Sequence, residues 1–264
     1  MKERSLFASI LLFFQLALSV TVGLLFRDEL LLRIGTAASL LLPLLFLPRA
    51  PRPREPLRFA VAERRQFLYL LLFPAFVLLT AGVSIGTGAL CRLFGLPTPG
   101  GTAMDTLTAA ILLDACLPAV CEELFCRGAL YSVLRPAGRR VAVLFTAILF
   151  ALMHASPTQL PYALLAGILL AFLYELSGSL LFPILFHFGN NLLSLLLMFG
   201  ASPVLVFPIL GGAAAVGLCL FFLLARRSGL SLPTREERPW APSRELLLSP
   251  LSAYILIMLL LSVL

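Results

Sequence analysis

Residues 106–134 read TLTAAILLDACLPAVCEELFCRGALYSVL, and only four of these side chains are charged: Asp114, Glu122, Glu123 and Arg127. The remainder of the run is apolar enough to lie in a lipid bilayer. Ionisable groups are costly in lipid, so they are seldom found there without a function. We therefore predict that this run is a transmembrane helix and that it carries a functional site.

The composition extends this reading to the whole chain. Of the 264 residues, 60% are hydrophobic and 12% are charged, and the mean hydropathy is +1.02. A soluble domain is about one-half apolar and about one-quarter charged. The sequence therefore predicts an all-α fold, a polytopic transmembrane helix bundle that forms a single integral membrane domain over residues 1–264, with no room for a soluble domain.

Nine apolar segments approach the length of roughly 20 residues that a spanning helix requires. They are Ser5–Phe26, Leu30–Leu47, Phe67–Leu90, Thr106–Leu134, Val141–Ala155, Pro161–Leu176, Leu180–Met198, Pro203–Leu224 and Leu246–Leu264. The ninth is close to the lower limit, so we expect eight or nine helices. Lys2 and Arg4 before the first segment also fit a signal peptide, but the apolar run continues to Phe26, which favours an uncleaved anchor.

The basic residues are distributed unevenly along the chain. With a cytosolic N-terminus and nine crossings, sixteen of the twenty fall in cytosolic segments: Lys2, Arg4, Arg49, Arg52, Arg54, Arg58, Arg64, Arg65, Arg135, Arg139, Arg140, Arg226, Arg227, Arg235, Arg238 and Arg244. This pattern follows the positive-inside rule and predicts a multi-pass protein of the cell (plasma) membrane. It also explains the net charge of +7. Because no aromatic and basic surface accompanies that charge, we exclude a nucleic-acid partner.

The glutamate pair is the centre of the predicted site. Neighbouring helical residues point about 100° apart, so Glu122 and Glu123 cannot share one role. Arg127 lies one turn after Glu123 on the same face, and a glutamate paired with arginine is a poor base. Glu122 therefore remains as the free carboxylate, while a purely structural Glu123–Arg127 pair stays open as an alternative. Pro118 and Gly128 are expected to bend this helix and open a polar cavity.

The two histidines of the chain also lie in apolar segments. His154 follows Phe150 by four residues, and His187 precedes Asn191 by four. Residues four apart share a helical face, so His187 and Asn191 are placed to bind a carbonyl oxygen or orient a water molecule. A lone histidine in a transmembrane helix is often only a hydrogen-bond partner between helices. We favour a functional role because both histidines occur together with the glutamate pair.

Other polar side chains are expected to matter less. Asp114, two turns before Glu122, is expected to line the same cavity, and Glu175 is expected to be solvated near a cytosolic end. Arg33 is expected to extend outward to the membrane surface. The five cysteines form neither a metal cluster nor a disulfide framework in the sequence pattern and are expected to be buried, inert thiols: Cys91, Cys116, Cys121, Cys126 and Cys219.

Three motifs on separate predicted helices resemble those of the CAAX prenyl endopeptidases and the bacterial bacteriocin-processing (CPBP, or Abi) proteins. They are Glu-Glu-x-x-x-Arg, Phe-x-x-x-His and His-x-x-x-Asn, and they occur in this order within a motif-bearing core of about 106–198. The resemblance implies an intramembrane endopeptidase, a hydrolase acting on a membrane-associated peptide or protein. Eukaryotic members of that family remove the last three residues of prenylated proteins.

The resemblance also implies roles for the matching residues. Glu122 is the base that activates water, His154 helps to position that water, and His187 and Asn191 form the oxyanion site, with Glu123 and Arg127 completing the first motif. The family is often called a metalloprotease, although this chain has no His-Glu-x-x-His motif. We expect no cofactor, and the open alternative is zinc held by Glu122, His154 and His187.

Two non-hydrolytic functions compete with this reading. The first is a non-catalytic membrane scaffold or bacteriocin-immunity protein that binds a partner. The second is a proton-coupled transporter, since glutamate and histidine relay protons in membranes. A transporter is expected to have polar, broken helices in both halves, whereas the polar residues here are concentrated in one half. Neither the substrate nor the recognition of a prenyl group is indicated by the residues.

Overall fold

The computed structural model describes residues 2–52, 57–95, 106–228 and 250–263. These residues form nine helical rods and no strand, which confirms the all-α prediction. The predicted positions Arg54, Arg235, Arg238, Arg244 and 246–249 lie outside the described residues.

The rods follow the predicted segments closely. We number them α1 (Lys2–Leu25), α2 (Glu29–Leu41, continued by a 3₁₀ turn over Leu42–Arg49), α3 (3₁₀ over Arg64–Leu72, then α over Phe73–Leu93), α4 (107–134), α5 (Arg139–Met153), α6 (Leu160–Ser177), α7 (Leu181–Met198), α8 (Pro203–Ser228) and α9 (Pro250–Val263). A 3₁₀ turn over Arg135–Ala137 follows α4.

Six rods are both long and apolar enough to cross a membrane: 2–25, 29–49, 64–93, 160–177, 181–198 and 203–228. The nine helices confirm the prediction of eight or nine, and six of them meet both conditions for a span among the described residues. Helices α5 and α9 have 15 and 14 residues, short of the roughly 20 that a bilayer requires. Helix α4 is long enough over 107–134, but it is divided into short α and π segments. Six candidate spans nevertheless support an integral membrane protein.

The central helix α4 is irregular. It consists of α segments at Leu107–Ala110, Leu117–Glu123 and Tyr131–Leu134, separated by π segments at Ile111–Cys116 and Leu124–Leu130. Pro118 cannot donate to the carbonyl of Asp114, which accounts for the first irregularity. The π turns flank the glutamate pair, and such turns widen a helix at functional sites. The distortion expected near the glutamates is therefore present, as two π segments.

Helix α4 lies against α1, α2, α5 and α7, so the predicted site is placed at the centre of the bundle. Helices α5 and α6 pack closely because Gly167 lacks a side chain: a Cβ there would lie 3.0 Å from Ala147 Cα. The fully buried aromatic residues Phe125, Tyr131 and Phe182 belong to the same core.

Several loops predicted to be cytosolic meet at one end of the bundle, which we call the basic end (residues 2–4, 49–52, 57–66, 133–140, 176–180 and 225–228). Arg4 Nη1 donates to Val133 O at 3.1 Å, and Arg65 Nη1 donates to Ser228 O at 3.1 Å. The amide of Leu180 donates to Arg58 O at 2.8 Å. The charge pattern therefore predicted which loops share an end, and the assignment of that end to the cytosol stays a prediction.

Glu175 lies at the basic end and is not simply solvated, as was expected. Its carboxylate accepts from Arg135 Nη2 at 2.7 Å and Arg135 Nε at 3.0 Å, and also from the Tyr131 hydroxyl. The carboxylate is only 12% exposed. The correction follows from the 40 residues that separate Arg135 from Glu175 in sequence, a pairing that helical spacing does not predict.

Two cysteines also differ from expectation. Cys91, Cys121 and Cys126 are buried free thiols, but Cys116 and Cys219 are exposed on the outer surface of the bundle.

Candidate active site

The second glutamate of the pair is neutralised inside the protein. Arg127 Nη1 donates to Glu123 Oε1 at 2.8 Å, and both side chains are fully buried. Arg127 Nη2 donates to the carbonyl oxygen of Gly167 at 2.8 Å, so the guanidinium also ties α4 to α6. The predicted pairing of Glu123 with Arg127 is present. Glu123 Oε2 and Arg127 Nε are buried and have no hydrogen-bond partner among the described residues, so the pair is only partly satisfied.

His187 contacts both glutamates. Its Nδ1 lies 3.0 Å from Glu123 Oε1, and its Nε2 lies 3.8 Å from Glu122 Oε2. Because Glu123 already receives a hydrogen bond from Arg127, we assign the proton between Glu123 and His187 to Nδ1. Glu123 thus holds the imidazole so that Nε2 faces Glu122. The contact between His187 and Glu123 was not predicted, because these residues are 64 apart in sequence and helical spacing relates only residues of one helix.

Glu122 differs from its neighbour in having no arginine beside it. Among the described residues it forms no ion pair with arginine or lysine, and its side chain is 20% exposed. The oxygen Oε2 is itself buried and has no hydrogen-bond partner in the described protein. A buried carboxylate oxygen without a partner is unusual and calls for a functional explanation.

Phe150 lies between the two histidines. Its ring makes edge contacts with His154 at 5.0 Å and with His187 at 5.6 Å between centroids, and the guanidinium of Arg127 lies 4.8 Å from its centre. The second motif therefore contributes a spacer as well as a histidine. Phe150 fixes the separation of the imidazoles and shields the buried ion pair from the cavity.

His154 is the C-terminal cap of α5. Its Nδ1 lies 2.9 Å from the carbonyl oxygen of Phe150, which leaves Nε2 available to the cavity. The next residue, Ala155, has φ of 45°, the one non-glycine positive φ among the described residues. A non-glycine residue in this region is strained, and such strain concentrates at functional sites. The helix therefore stops abruptly where it presents His154.

Asn191 lines the site as the sequence predicted, and Asn190 lines it as well. The side chain of Asn190 lies 2.9 Å from the Thr80 hydroxyl, so it links α7 to α3. Sequence reasoning missed Asn190, although the run His-Phe-Gly-Asn-Asn places two carboxamides beside each other in an otherwise apolar helix. Thr80 gave no signal, because threonine is common in transmembrane helices.

These side chains surround one cavity of about 670 Å³. Glu122, His154, His187 and Asn191 all line it, whereas Glu123 and Arg127 lie behind its wall. The cavity follows α3 from Phe76 to Arg92 and so extends away from the basic end. The structure therefore brings four of the six predicted site residues to one surface and places the other two as their support.

Asp114 also lines this cavity, as expected, but it is paired with Arg33 of α2. Arg33 binds Glu29 as well, with 3.0 Å between Nη1 and Oε2. The prediction that Arg33 extends outward is wrong, because a carboxylate 81 residues away in sequence lies within its reach. This ion pair fastens α2 to α4 beside the site.

The zinc alternative is not supported by the arrangement of the side chains. In the parts of the chain that the structure describes, no three histidine, cysteine, aspartate or glutamate residues are grouped so that they could hold a metal ion. Glu122, His154 and His187 share the cavity without forming such a set. We therefore derive no step through a metal.

Comparison with known proteins identifies the region that carries the site. Residues 104–193 match the family model described as Rce1-like, type II CAAX prenyl endopeptidase. Neither the curated proteins nor the solved structures gave a match. The matched residues make up about a third of the chain. They contain all three motifs and the cavity residues of α4, α5 and α7 described above. The match therefore supports a CAAX-type protease in general terms. The region of this chain that forms the candidate active site is thus similar to the Rce1-like, type II CAAX prenyl endopeptidase family.

Proposed function

We propose that this protein is an intramembrane endopeptidase that hydrolyses a peptide bond of a membrane-associated peptide or protein. One observation carries the proposal: Glu122 pairs with no arginine or lysine among the described residues and shares a cavity with His154, His187 and Asn191, while Glu123 next to it is buried against Arg127. Two adjacent carboxylates are thus given different environments. Such a difference is how a protein separates a reactive carboxylate from a supporting one.

In the proposed reaction Glu122 takes a proton from a water molecule while the water oxygen attacks the carbonyl carbon of the substrate. His154 Nε2 orients that water, since Nδ1 is held by the backbone of Phe150. When the C–N bond breaks, the proton on Glu122 passes to the leaving nitrogen. General base catalysis of this kind contributes about 10²- to 10⁴-fold in rate.

The oxyanion formed in this step is stabilised by Asn191 and His187. The carboxamide of Asn191 donates one hydrogen bond and the Nε2–H of His187 donates the other. In this role the imidazole carries protons on both nitrogens, and Glu123 faces the Nδ1–H as the orienting carboxylate does in other hydrolases. Removing one such donor costs about 10²- to 10³-fold in rate.

The substrate is proposed to reach the cavity from the membrane. Candidate spans contribute residues to the wall of the cavity, which supports a substrate that is itself associated with the lipid. We propose a plasma-membrane protein with a cytosolic N-terminus, for which the gathering of arginines at one end is the support. No residue of the cavity gives a reason to expect a prenyl group.

The test is Glu122→Gln, which keeps the shape of the side chain and removes its basicity. Comparison of protein C-termini in cells with the wild type and with the variant should show products that depend on Glu122, and purified variant should cleave a verified substrate about 10²- to 10⁴-fold more slowly. Glu3→Gln is the matched control, because Glu3 is exposed at the basic end and does not line the cavity.

Two results would count against this assignment. Cleavage by Glu122→Gln at the wild-type rate would remove Glu122 from the reaction. A cellular phenotype that survives Glu122→Gln unchanged would instead favour the scaffold or immunity protein, since binding alone does not require a base.

A further inference from the structure

A second site lies at the basic end, far from the catalytic cavity. There the beginning of α3 and the end of α8 run side by side. Arg65 Nη1 donates to the carbonyl oxygen of Ser228 at 3.1 Å, and a Cβ on Gly217 would lie only 2.3 Å from Leu71 O. The two backbones are therefore in direct contact, and both helices are candidate membrane spans.

A groove of about 660 Å³ runs along this contact. Its apolar walls are Phe67, Leu68, Leu71, Leu220 and Leu224. Phe67 is 49% exposed and Leu220 is 40% exposed, so the groove is open along its length. On helices that span a membrane, such a surface faces hydrocarbon and accommodates an acyl chain without loss of hydrogen bonds.

Arginines stand at the mouth of the groove. Arg65 is occupied, because it pairs with Glu63 and holds Ser228. Arg64 and Arg227 also line the groove and are exposed, and neither has an ion pair or a side-chain hydrogen bond among the described residues. After Glu63 has offset Arg65, two positive charges remain above an apolar channel.

We propose that this groove binds one phospholipid with an anionic head group. The phosphate lies between Arg64 and Arg227, and one acyl chain lies along Leu71, Leu220 and Leu224. Binding of a phospholipid requires positive charge at the membrane surface, for the phosphate, and an apolar surface below it, for the acyl chain. The groove has the two arginines at its mouth and the apolar walls beneath them. This site is independent of the proposed hydrolytic function.

The test uses fluorescence quenching by lipids with brominated acyl chains. Phe67→Trp places a reporter in the wall of the groove, and Trp240→Phe removes the natural tryptophan, which is the only one in the chain. The protein is reconstituted in phosphatidylcholine with brominated phosphatidylglycerol or brominated phosphatidylcholine as quencher. Phosphatidylglycerol should quench at a lower fraction of total lipid, with saturation.

In this background Arg64→Gln combined with Arg227→Gln should weaken the preference for phosphatidylglycerol about 10- to 30-fold. Arg226→Gln is the matched control, because Arg226 neighbours Arg227, is exposed, and does not line the groove. It should change the preference less than about threefold.

Three results would overturn the proposal. Equal quenching by the two lipids would show that the groove does not select charge. An effect of Arg226→Gln as large as that of the double variant would show only a diffuse attraction to the membrane. Complete displacement of the lipid by inorganic phosphate would show a soluble anion site with no role for the acyl chain.

Discussion

Helix α6, in the motif-bearing core, and helix α8, which flanks that core, bury their residues to very different extents, whereas α7 is as buried as α1 and α2, at 28%. In α6, 44% of the most apolar window is buried within the protein, whereas in α8 the fraction is 17%. The buried charged side chains, Glu123 and Arg127, belong to the motif-bearing helices, as does the buried His187. In the flanking helices α1 and α2 the buried polar residues are all uncharged: three are serines and the fourth is Gln15. Their side chains bond mostly to neighbouring carbonyl or hydroxyl oxygens.

The comparison shows how this protein keeps charge inside the membrane. Each buried charged group of the inner helices has a partner from another helix, as Arg127 has in Gly167 and Glu123 has in His187. Among the described residues Glu123 Oε2, Asp114 Oδ2 and Glu122 Oε2 are all buried without a hydrogen-bond partner, but Glu122 differs from the other two because no arginine pairs with its carboxylate. This unpaired carboxylate lines the cavity that also contains both histidines, and for this reason we assign the chemistry to Glu122.

Removing the partner of Glu123 should produce the largest loss of stability. Arg127→Met leaves a carboxylate that is fully buried with no cation beside it, which typically costs about 3–5 kcal/mol. Unfolding of the purified protein in mixed micelles, with increasing denaturing detergent, measures this loss. Arg226→Met, an exposed change in α8, should alter the unfolding free energy by less than about 0.5 kcal/mol.

Equal effects of the two methionine variants would break the comparison. That result would mean that burial in the inner helices does not determine the cost of losing a charge, and the Glu123–Arg127 pair would not be a support of the site.

Asn191→Ala should separate activity from stability. Asn191 is half-buried on the cavity wall, so its loss removes an oxyanion donor and lowers the cleavage rate about 10²- to 10³-fold, with little change in unfolding. Gln15→Ala is the counterpart in the flanking helix α1, where Gln15 donates to Ser19 at 2.8 Å. It should lower stability by about 1 kcal/mol and leave cleavage unchanged.

Steady-state kinetics and unfolding curves of both variants provide the four measurements. If Asn191→Ala instead unfolded the protein while its folded fraction cleaved normally, Asn191 would be a packing residue and the proposed oxyanion site would lose one donor.

The positions of the helices were predictable because the bilayer limits the length of an apolar run. The segment Leu180–Met198 became a helix over Leu181–Met198, and the Glu123–Arg127 pair followed from helical spacing. The contacts of His187 with Glu123 and of Arg33 with Asp114 did not follow, because they join residues 64 and 81 positions apart. Spacing within one helix reports the face of a side chain, and the partner opposite that face depends on how the helices pack.

The π segments of α4 are a similar case. Pro118 indicated a disturbance, but the sequence contains no signal that distinguishes a bend from a π turn. The choice depends on the neighbouring helices, because the wider turn places Asp114 toward Arg33 and Arg127 toward Gly167. Local sequence predicted where the helix is irregular, and tertiary contacts determine the form that the irregularity takes.

The smallest expected effect tests packing alone, with glycine to alanine changes in both regions. At Gly167 a new Cβ would lie 3.0 Å from Ala147 Cα and 3.2 Å from Ala147 O, so α5 and α6 must separate. Overpacking of this kind costs about 1–3 kcal/mol, and the separation also lengthens the bond from Arg127 to Gly167 O. At Gly212 in α8 nothing lies within 4 Å, so Gly212→Ala should stabilise the helix by about 0.5–1 kcal/mol.

Opposite signs in the unfolding free energies of Gly167→Ala and Gly212→Ala would sharpen the distinction between the regions. Cleavage by Gly167→Ala should fall as well, because Arg127 holds Glu123 and Glu123 holds His187. If Gly167→Ala were as stable and as active as the wild type, the close approach of α5 and α6 would not position the site, and the chain of contacts from Gly167 to His187 would have no functional role.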